Sequence, residues 1–139
     1  MFSVLFPGQG SQSVGMGKEL HDNFDYVKKL FSEADDVLNL STSKLIFEGP
    51  KELLNQTENT QPAIFLVSYS IFNVIKNETE FDSSNANFFA GHSLGEYSAL
   101  ACAGVINFKE TIKLLKIRGN AMQIALPKND GGTVSRYFI

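Results

Sequence analysis

The stretch of sequence best suited to chemistry is residues 91–100, which reads Gly-His-Ser-Leu-Gly-Glu-Tyr-Ser-Ala-Leu. Its first five residues fit G-x-S-x-G, the nucleophile elbow, in which a tight turn between a strand and a helix exposes a serine hydroxyl. Glycines suit such a turn because a side chain would collide with the neighbouring backbone. Ser93 is therefore a candidate nucleophile.

The segments on either side of Ser93 fit this interpretation. Residues 88–90 are apolar and predict a buried strand, and residues 96–103 predict a helix that ends at Gly104. The amide N–H groups and the positive dipole end of that helix would favour the oxyanion of a tetrahedral acyl intermediate. The alternative is structural, with the Ser93 hydroxyl serving only as a helix cap.

A second loop, residues 7–17, is rich in glycine and amide side chains and follows a predicted buried strand over residues 2–6. It begins like a dinucleotide-binding fingerprint, but Ser13 stands where that pattern needs glycine, and no P-loop lysine is present. Nucleotide binding is therefore a weak alternative, and a purely structural turn is another. A third is that Gln9 lines the elbow, because ligands collect at the carboxyl ends of strands in open α/β sheets.

Helical patterns occupy most of the remaining chain. Apolar residues spaced by three or four predict one amphipathic helix over residues 18–38, with His21 outside its apolar stripe and solvated. Asn107 is a candidate cap for a helix over residues 108–125. The further predictions are helical turns over 41–47 and 50–54, a buried helix over 63–76 that follows a cap at Thr60-Gln61-Pro62, and a long loop over 76–87.

Composition indicates a globular protein. The 139 residues are 43% hydrophobic and 19% charged, which predicts a single domain, or part of one, with a real core. A net charge of −3 and the lack of a basic stripe argue against nucleic acid as a partner. No apolar run is long enough to cross a bilayer and no signal-peptide pattern is evident, so we expect a cytoplasmic protein that does not bind membranes. The lone cysteine, Cys102, is expected to be a small core residue.

Four motifs, taken in order, closely resemble the bacterial malonyl-CoA:acyl carrier protein transacylases, which are acyltransferases of fatty acid biosynthesis. They are Pro-Gly-Gln-Gly-Ser-Gln at 7–12, Thr-Gln-Pro-Ala at 60–63, the elbow at 91–100 and Ile-Arg-Gly at 117–119. The resemblance covers residues 1–127, which would be the N-terminal part of the family's large α/β subdomain. It implies an α/β fold, with a partial α/β-hydrolase-like parallel sheet and flanking helices.

The resemblance also implies a reaction. Ser93 would take the malonyl group from malonyl-CoA and pass it to the phosphopantetheine thiol of acyl carrier protein. The backbone N–H groups of Gln9 and Leu94 would form the oxyanion hole, and Gln9 and Arg118 would bind substrate. Arg118 suits this role because a guanidinium meets a carboxylate with two parallel hydrogen bonds. Malonyl-CoA enters as a substrate, so neither a cofactor nor a metal is expected.

Towards its C-terminal end, the sequence differs from the family's pattern. The family's catalytic histidine and its small ferredoxin-like subdomain would lie beyond Ile139, and the histidines present are His21 and His92. Adjacent side chains diverge at a tight turn, so His92 is not expected to take the proton of Ser93. Residues 128–139 do not resemble the family's next strand, which predicts an atypical tail on a truncated or frame-shifted chain with impaired activity.

Two other functions remain open from the sequence. A serine hydrolase of the α/β-hydrolase kind also uses G-x-S-x-G, although that class needs an acid and then a histidine after the serine. The second alternative is a non-catalytic remnant that binds coenzyme A or the carrier protein without turnover.

Overall fold

The computed structural model describes residues 2–125, which form a small parallel sheet with flanking helices. The predicted atypical tail at residues 128–139 lies outside the described residues. The elements in chain order are β1 (Phe2–Phe6), α1 (Lys18–Asn23), α2 (Asp25–Leu38), α3 (Thr42–Glu48), α4 (Lys51–Leu54), α5 (Thr57–Glu78), a 3₁₀ turn (Ser83–Asn85), β2 (Ala86–Gly91), α6 (Gly95–Cys102) and α7 (Phe108–Ala125).

The two strands lie side by side in parallel, with Phe6 opposite Gly91. His92 extends this pairing, since its backbone N–H donates to the carbonyl of Phe6 at 3.2 Å. Parallel strands place their carboxyl ends at one edge of the sheet. The loop after β1 and the turn after β2 therefore start next to each other, which the sequence alone did not establish.

Both strands were correctly placed, but the prediction that they are buried is wrong for one face of the sheet. Phe6 is 7% exposed and packs with Phe72 of α5, whereas Leu5 is 75% exposed and Phe88 is 70% exposed. Successive side chains of a strand point to opposite faces. Within residues 2–125 the helices cover the Phe6 face and leave Leu5 and Phe88 uncovered.

The predicted helix over residues 18–38 is two helices. Phe24 adopts extended backbone angles (φ −124°, ψ 115°) and separates α1 from α2. The buried stripe of α2 is as expected. A helix break of one residue leaves the spacing of apolar residues at three or four, so the sequence pattern does not reveal it. His21 keeps part of its side chain in solvent (27% exposed) and pairs with Asp22 at 3.0 Å, and its ring also packs at 5.4 Å from that of Phe31 and 5.0 Å from that of Phe47.

Helix α5 is the centre of the core and begins earlier than predicted. Thr60, Gln61 and Pro62 were expected to form its cap, yet all three are buried inside the helix, which starts at Thr57. Residues 60–68 are buried without interruption. Proline prefers the first turn of a helix, but the burial of this segment on every side stabilises a helix that begins before Pro62. The helix also runs to Glu78, so the predicted long loop is shorter than residues 76–87.

Helix α7 begins as predicted and packs closely against α5. The Asn107 side chain accepts a hydrogen bond from the backbone N–H of Glu110 at 2.9 Å and donates to its carboxylate at 2.7 Å. At Gly119, a Cβ would lie 2.6 Å from the Cα of Glu58 and 2.8 Å from the carbonyl oxygen of Thr57. The two helices therefore meet backbone against backbone at this point.

Replacing Gly119 with alanine is expected to destabilise the protein, although alanine is the better helix former by about 1 kcal/mol. The added methyl group meets backbone atoms of α5 that cannot rotate away, and overpacking of this kind costs about 1–3 kcal/mol. Urea unfolding should report a free energy of unfolding lower by about 1–2 kcal/mol. Lys113→Ala, on the exposed side of the same helix, should change it by less than about 0.5 kcal/mol. A Gly119→Ala variant as stable as the unsubstituted chain would contradict the close approach.

Candidate active site

The turn between β2 and α6 has the strand, turn and helix arrangement that the sequence predicts. Ser93 lies at its apex with φ +57°, in the left-handed region that residues other than glycine rarely adopt. A Cβ on Gly91 would collide with the carbonyl group of Gly95, and a Cβ on Gly95 would lie 2.6 Å from the carbonyl oxygen of Phe6. Both glycines of the motif are therefore required by steric contact with backbone.

The Ser93 side chain does not cap the helix that follows. The residue that precedes α6 is Leu94, which is 1% exposed, and the helix begins without a side-chain cap. The Ser93 hydroxyl instead accepts a hydrogen bond at 3.1 Å from Nη2 of Arg118. This contact argues against the capping interpretation and leaves the hydroxyl beside a cation.

Arg118 of α7 reaches the elbow across 25 residues of sequence. Its Nη1 donates to Oε1 of Gln61 at 2.7 Å, and its guanidinium carbon lies 5.8 Å from the centre of the Tyr97 ring. A guanidinium has only donors, so Arg118 can stabilise negative charge near Ser93 but cannot take the hydroxyl proton. The arrangement suits the binding of an anionic group next to the Ser93 hydroxyl.

Gln61 is the residue of this site to which the sequence analysis assigned no chemical role. It was expected to be part of a cap and of the Thr-Gln-Pro-Ala motif, whereas it is fully buried inside α5 with 0% exposure. Its side-chain amide nitrogen donates to the sulfur of Met122 at 3.2 Å. One feature of the sequence could have indicated this role: Gln61 is an amide side chain at the start of a predicted buried apolar helix. A buried polar group usually has a hydrogen-bond partner.

Gln9 lies in the loop that borders the elbow. A Cβ on the neighbouring Gly8 would lie only 2.5 Å from Nδ1 of His92, so the two loops are in contact. The Gln9 side-chain amide donates to Oγ1 of Thr57 at 3.4 Å, and that of Gln12 donates to Oδ1 of Asn55 at 2.9 Å. These bonds fasten the loop to the end of α4 and the start of α5, and they direct the Gln9 side chain towards Thr57.

Cys102 is not placed as a reactive thiol. Burial raises the pKa of the Cys102 thiol to about 12, so at neutral pH the group stays protonated. Its side chain packs beside the cluster formed by Phe6, Phe72 and Ala99, as expected for a small core residue.

Residues 2–125 contain neither a metal-binding cluster nor a membrane-spanning helix. No cluster of three or more His, Cys, Asp or Glu side chains in that range is arranged to hold a metal ion. None of the helices described there combines the length and apolar character needed to cross a membrane.

Comparison with known families gives one match that spans nearly the whole chain. The family model described as "Acyl transferase domain" matches residues 4–136. Among curated proteins, the malonyl CoA-acyl carrier protein transacylase of Bacillus subtilis is 49% identical over 129 residues. That alignment covers 93% of this chain but 32% of the relative, so the chain spans about a third of that protein's length.

Solved structures with similar folds carry related names. Acyl-carrier-protein-S-malonyltransferase from Bartonella henselae matches with a TM-score of 0.85 and 45% identity, over 91% of this chain and 41% of that one. A malonyl-transacylase in complex with a type II PKS acyl-carrier protein matches with a TM-score of 0.82 and 46% identity, over 91% and 40% of the two chains.

The positive φ of Ser93 predicts that glycine at this position is more stable than alanine. Neither Ser93→Gly nor Ser93→Ala keeps the hydroxyl, so the pair isolates the backbone cost of the left-handed conformation, about 1–2 kcal/mol. Urea unfolding should give Ser93→Gly the higher free energy of unfolding by about 1 kcal/mol. At the exposed mid-helix position Lys113, the same comparison should reverse, with alanine more stable by about 1 kcal/mol. Alanine ahead of glycine at both positions would show that Ser93 is not held in a strained turn.

Proposed function

The chain belongs to the acyl transferase domain family, and from that membership we propose that it transfers a malonyl group from malonyl-CoA to the phosphopantetheine thiol of acyl carrier protein in fatty acid biosynthesis. The observation that carries the proposal is the hydrogen bond between Arg118 and the Ser93 hydroxyl. It puts a group suited to a free carboxylate next to a group suited to acyl transfer. The names of the relatives, which are malonyl CoA-acyl carrier protein transacylases, support the same reaction.

Each half of the proposed reaction exchanges one bond to the malonyl carbonyl carbon. The Ser93 oxygen attacks the thioester, the carbon–sulfur bond breaks, and coenzyme A leaves as the thiol. The carrier-protein thiol then attacks the Ser93 ester and the serine hydroxyl is restored. Because Arg118 has no acceptor, the proton of Ser93 must go to a base other than Arg118.

We assign the oxyanion hole to the backbone N–H groups of Leu94 and Gln9. Leu94 precedes the first turn of α6, where backbone N–H groups have no acceptor within the helix and carry its positive partial charge. Gln9 lies in the loop that contacts the elbow through Gly8 and His92. Removing one oxyanion donor typically costs about 10²–10³ in rate, so this pair would be a major contribution.

The remaining parts of the proposal concern the setting of the reaction. We place the protein in the cytoplasm, with malonyl-CoA and acyl carrier protein as partners and without a metal or further cofactor. The hydrolase-like character of the sheet rests on the elbow itself, where a strand, a strained serine and a helix follow one another. The domain boundary after residue 127 stays a prediction.

Incubation of the chain with malonyl-CoA is expected to give a malonyl adduct on Ser93, detected by intact-protein mass spectrometry. The nucleophile, the N-terminus of α6 and the cation are all assembled within residues 2–125, so they should suffice for slow loading. Ser93→Ala, with the same fold, is the control and should carry no adduct. Free malonate without an adduct would favour a hydrolase. A folded chain with neither product would favour the non-catalytic remnant.

Arg118→Ala is expected to lower malonyl loading relative to acetyl loading by about tenfold to a hundredfold, because a hydrogen bond to a charged group contributes about 1.5–3 kcal/mol. Arg118→Lys should recover little of that selectivity, since an ammonium group cannot form the two parallel bonds. The measurement is the ratio of adducts after parallel incubation with malonyl-CoA and acetyl-CoA. Lys113→Ala on the same helix is the control. Equal losses for both acyl groups in Arg118→Ala would remove Arg118 from carboxylate recognition.

A further inference from the structure

We propose that Gln61 is a positioning residue, which sets the selectivity for malonyl by holding the Arg118 guanidinium beside Ser93. This inference rests on the proposed function of Arg118 as the partner of the malonyl carboxylate. Gln61 would act through Arg118, and it is 57 residues away from Arg118 in the sequence.

The orientation of the Gln61 amide is determined by the chemistry of its neighbours. Arg118 offers only N–H donors, so the atom that faces it at 2.7 Å must be the amide oxygen. The amide nitrogen then faces the sulfur of Met122 at 3.2 Å, a weak acceptor. Gln61 is 0% exposed, so turning the amide around would bury an N–H group against a cation. The carbonyl oxygen is thereby committed to Arg118.

Three groups hold the guanidinium. Gln61 accepts from Nη1, Ser93 accepts from Nη2 at 3.1 Å, and the ring of Tyr97 lies 5.8 Å from the guanidinium carbon. These bonds occupy two of the five N–H donors, and a carboxylate needs two. Holding a long side chain in place before substrate binds avoids an entropy cost at binding. Without Gln61, the cation would be fixed mainly through the hydroxyl that has to react.

An amide suits this position better than a carboxylate or an apolar group. A glutamate would hold Arg118 equally well but would neutralise it, so a substrate carboxylate would meet an ion pair instead of a cation. An apolar side chain would leave the charge intact and the orientation unrestrained. Glutamine supplies an acceptor without a charge, which positions the cation and leaves its charge available to the substrate.

The support for Gln61 is rigid. It lies on α5, the most buried helix, and Arg118 lies on α7 next to Gly119, where the two helix backbones touch. A group carried on a packed helix is held more accurately than one carried on a loop. The distance between Gln61 and Arg118 is therefore set by the packing of two helices.

The test compares Gln61→Met, which keeps the length of the side chain and removes the acceptor, with Gln61→Glu, which keeps the acceptor and adds charge. In Gln61→Met, the ratio of malonyl to acetyl loading rates should fall about threefold to tenfold, with acetyl loading close to that of the unsubstituted chain. In Gln61→Glu the ratio should fall by about tenfold or more. An unchanged ratio in both variants would overturn the proposal.

Asn59→Leu is the matched control. Asn59 also joins α5 to α7, since it accepts from Nζ of Lys116 at 3.1 Å, but it does not contact Arg118. A change in helix packing alone would move the ratio in Asn59→Leu as much as in Gln61→Met, and that result would contradict positioning. Urea unfolding of each variant establishes that the proteins compared are folded, and Gln61→Glu keeps the test open if Gln61→Met does not fold.

A second measurement separates this inference from the proposed function. Nitrogen-15 NMR of the Arg118 side chain should show slow guanidinium motion and slow proton exchange in the unsubstituted chain and in Gln61→Glu, and faster motion in Gln61→Met. If malonyl-CoA does not load the unsubstituted chain, the proposed function fails, and the NMR signals of Arg118 alone test the positioning role of Gln61. Faster motion in Gln61→Met then supports the positioning role, and identical Arg118 signals in the unsubstituted chain and in Gln61→Met overturn it.

Discussion

The close approach of α5 and α7 is the constraint on which the rest of the site depends. At Gly119 the backbone of α7 lies against that of α5, with no space for even one methyl group. Arg118 is the preceding residue, so the same contact that admits only glycine brings its guanidinium within 2.7 Å of the buried Gln61. A larger residue at 119 would separate the helices and carry Arg118 away from both Gln61 and Ser93.

A second close contact positions the other half of the site. Gly95 begins α6 directly beneath the carbonyl oxygen of Phe6, so the helix starts as near to the strand as backbone atoms allow. Parallel pairing of β1 with β2 fixes that strand and the loop that carries Gln9. Ser93, the proposed nucleophile, therefore belongs to the sheet and its turn, and the Arg118 cation belongs to the pair of helices. The hydrogen bond between Arg118 and Ser93 joins the two parts.

The resulting chemistry divides recognition from reactivity. In the proposed reaction, Arg118 supplies positive charge and geometric matching to a carboxylate, but it cannot accept a proton, so its role there is limited to binding and charge stabilisation. Gln61 refines this role because it is a neutral acceptor in a dry environment, where an unpaired amide would be costly. A protein of net charge −3 thus places an oriented cation beside the proposed nucleophile, where the ligand we propose is an acidic acyl group.

The sequence by itself determined the features that depend on neighbouring residues. The positions of both strands, the glycine-flanked turn at Ser93 and the Asn107 cap follow from local steric and hydrogen-bonding rules. Tertiary structure decided which surfaces meet: Gln61 with Arg118 across 57 residues, and Arg118 with Ser93 across 25. It also decided that Pro62 lies inside a helix and that one face of the sheet is exposed. The spacing of apolar residues indicates which face of a helix or strand is buried. Which residues contact that face depends on how helices and strands from distant parts of the chain pack together.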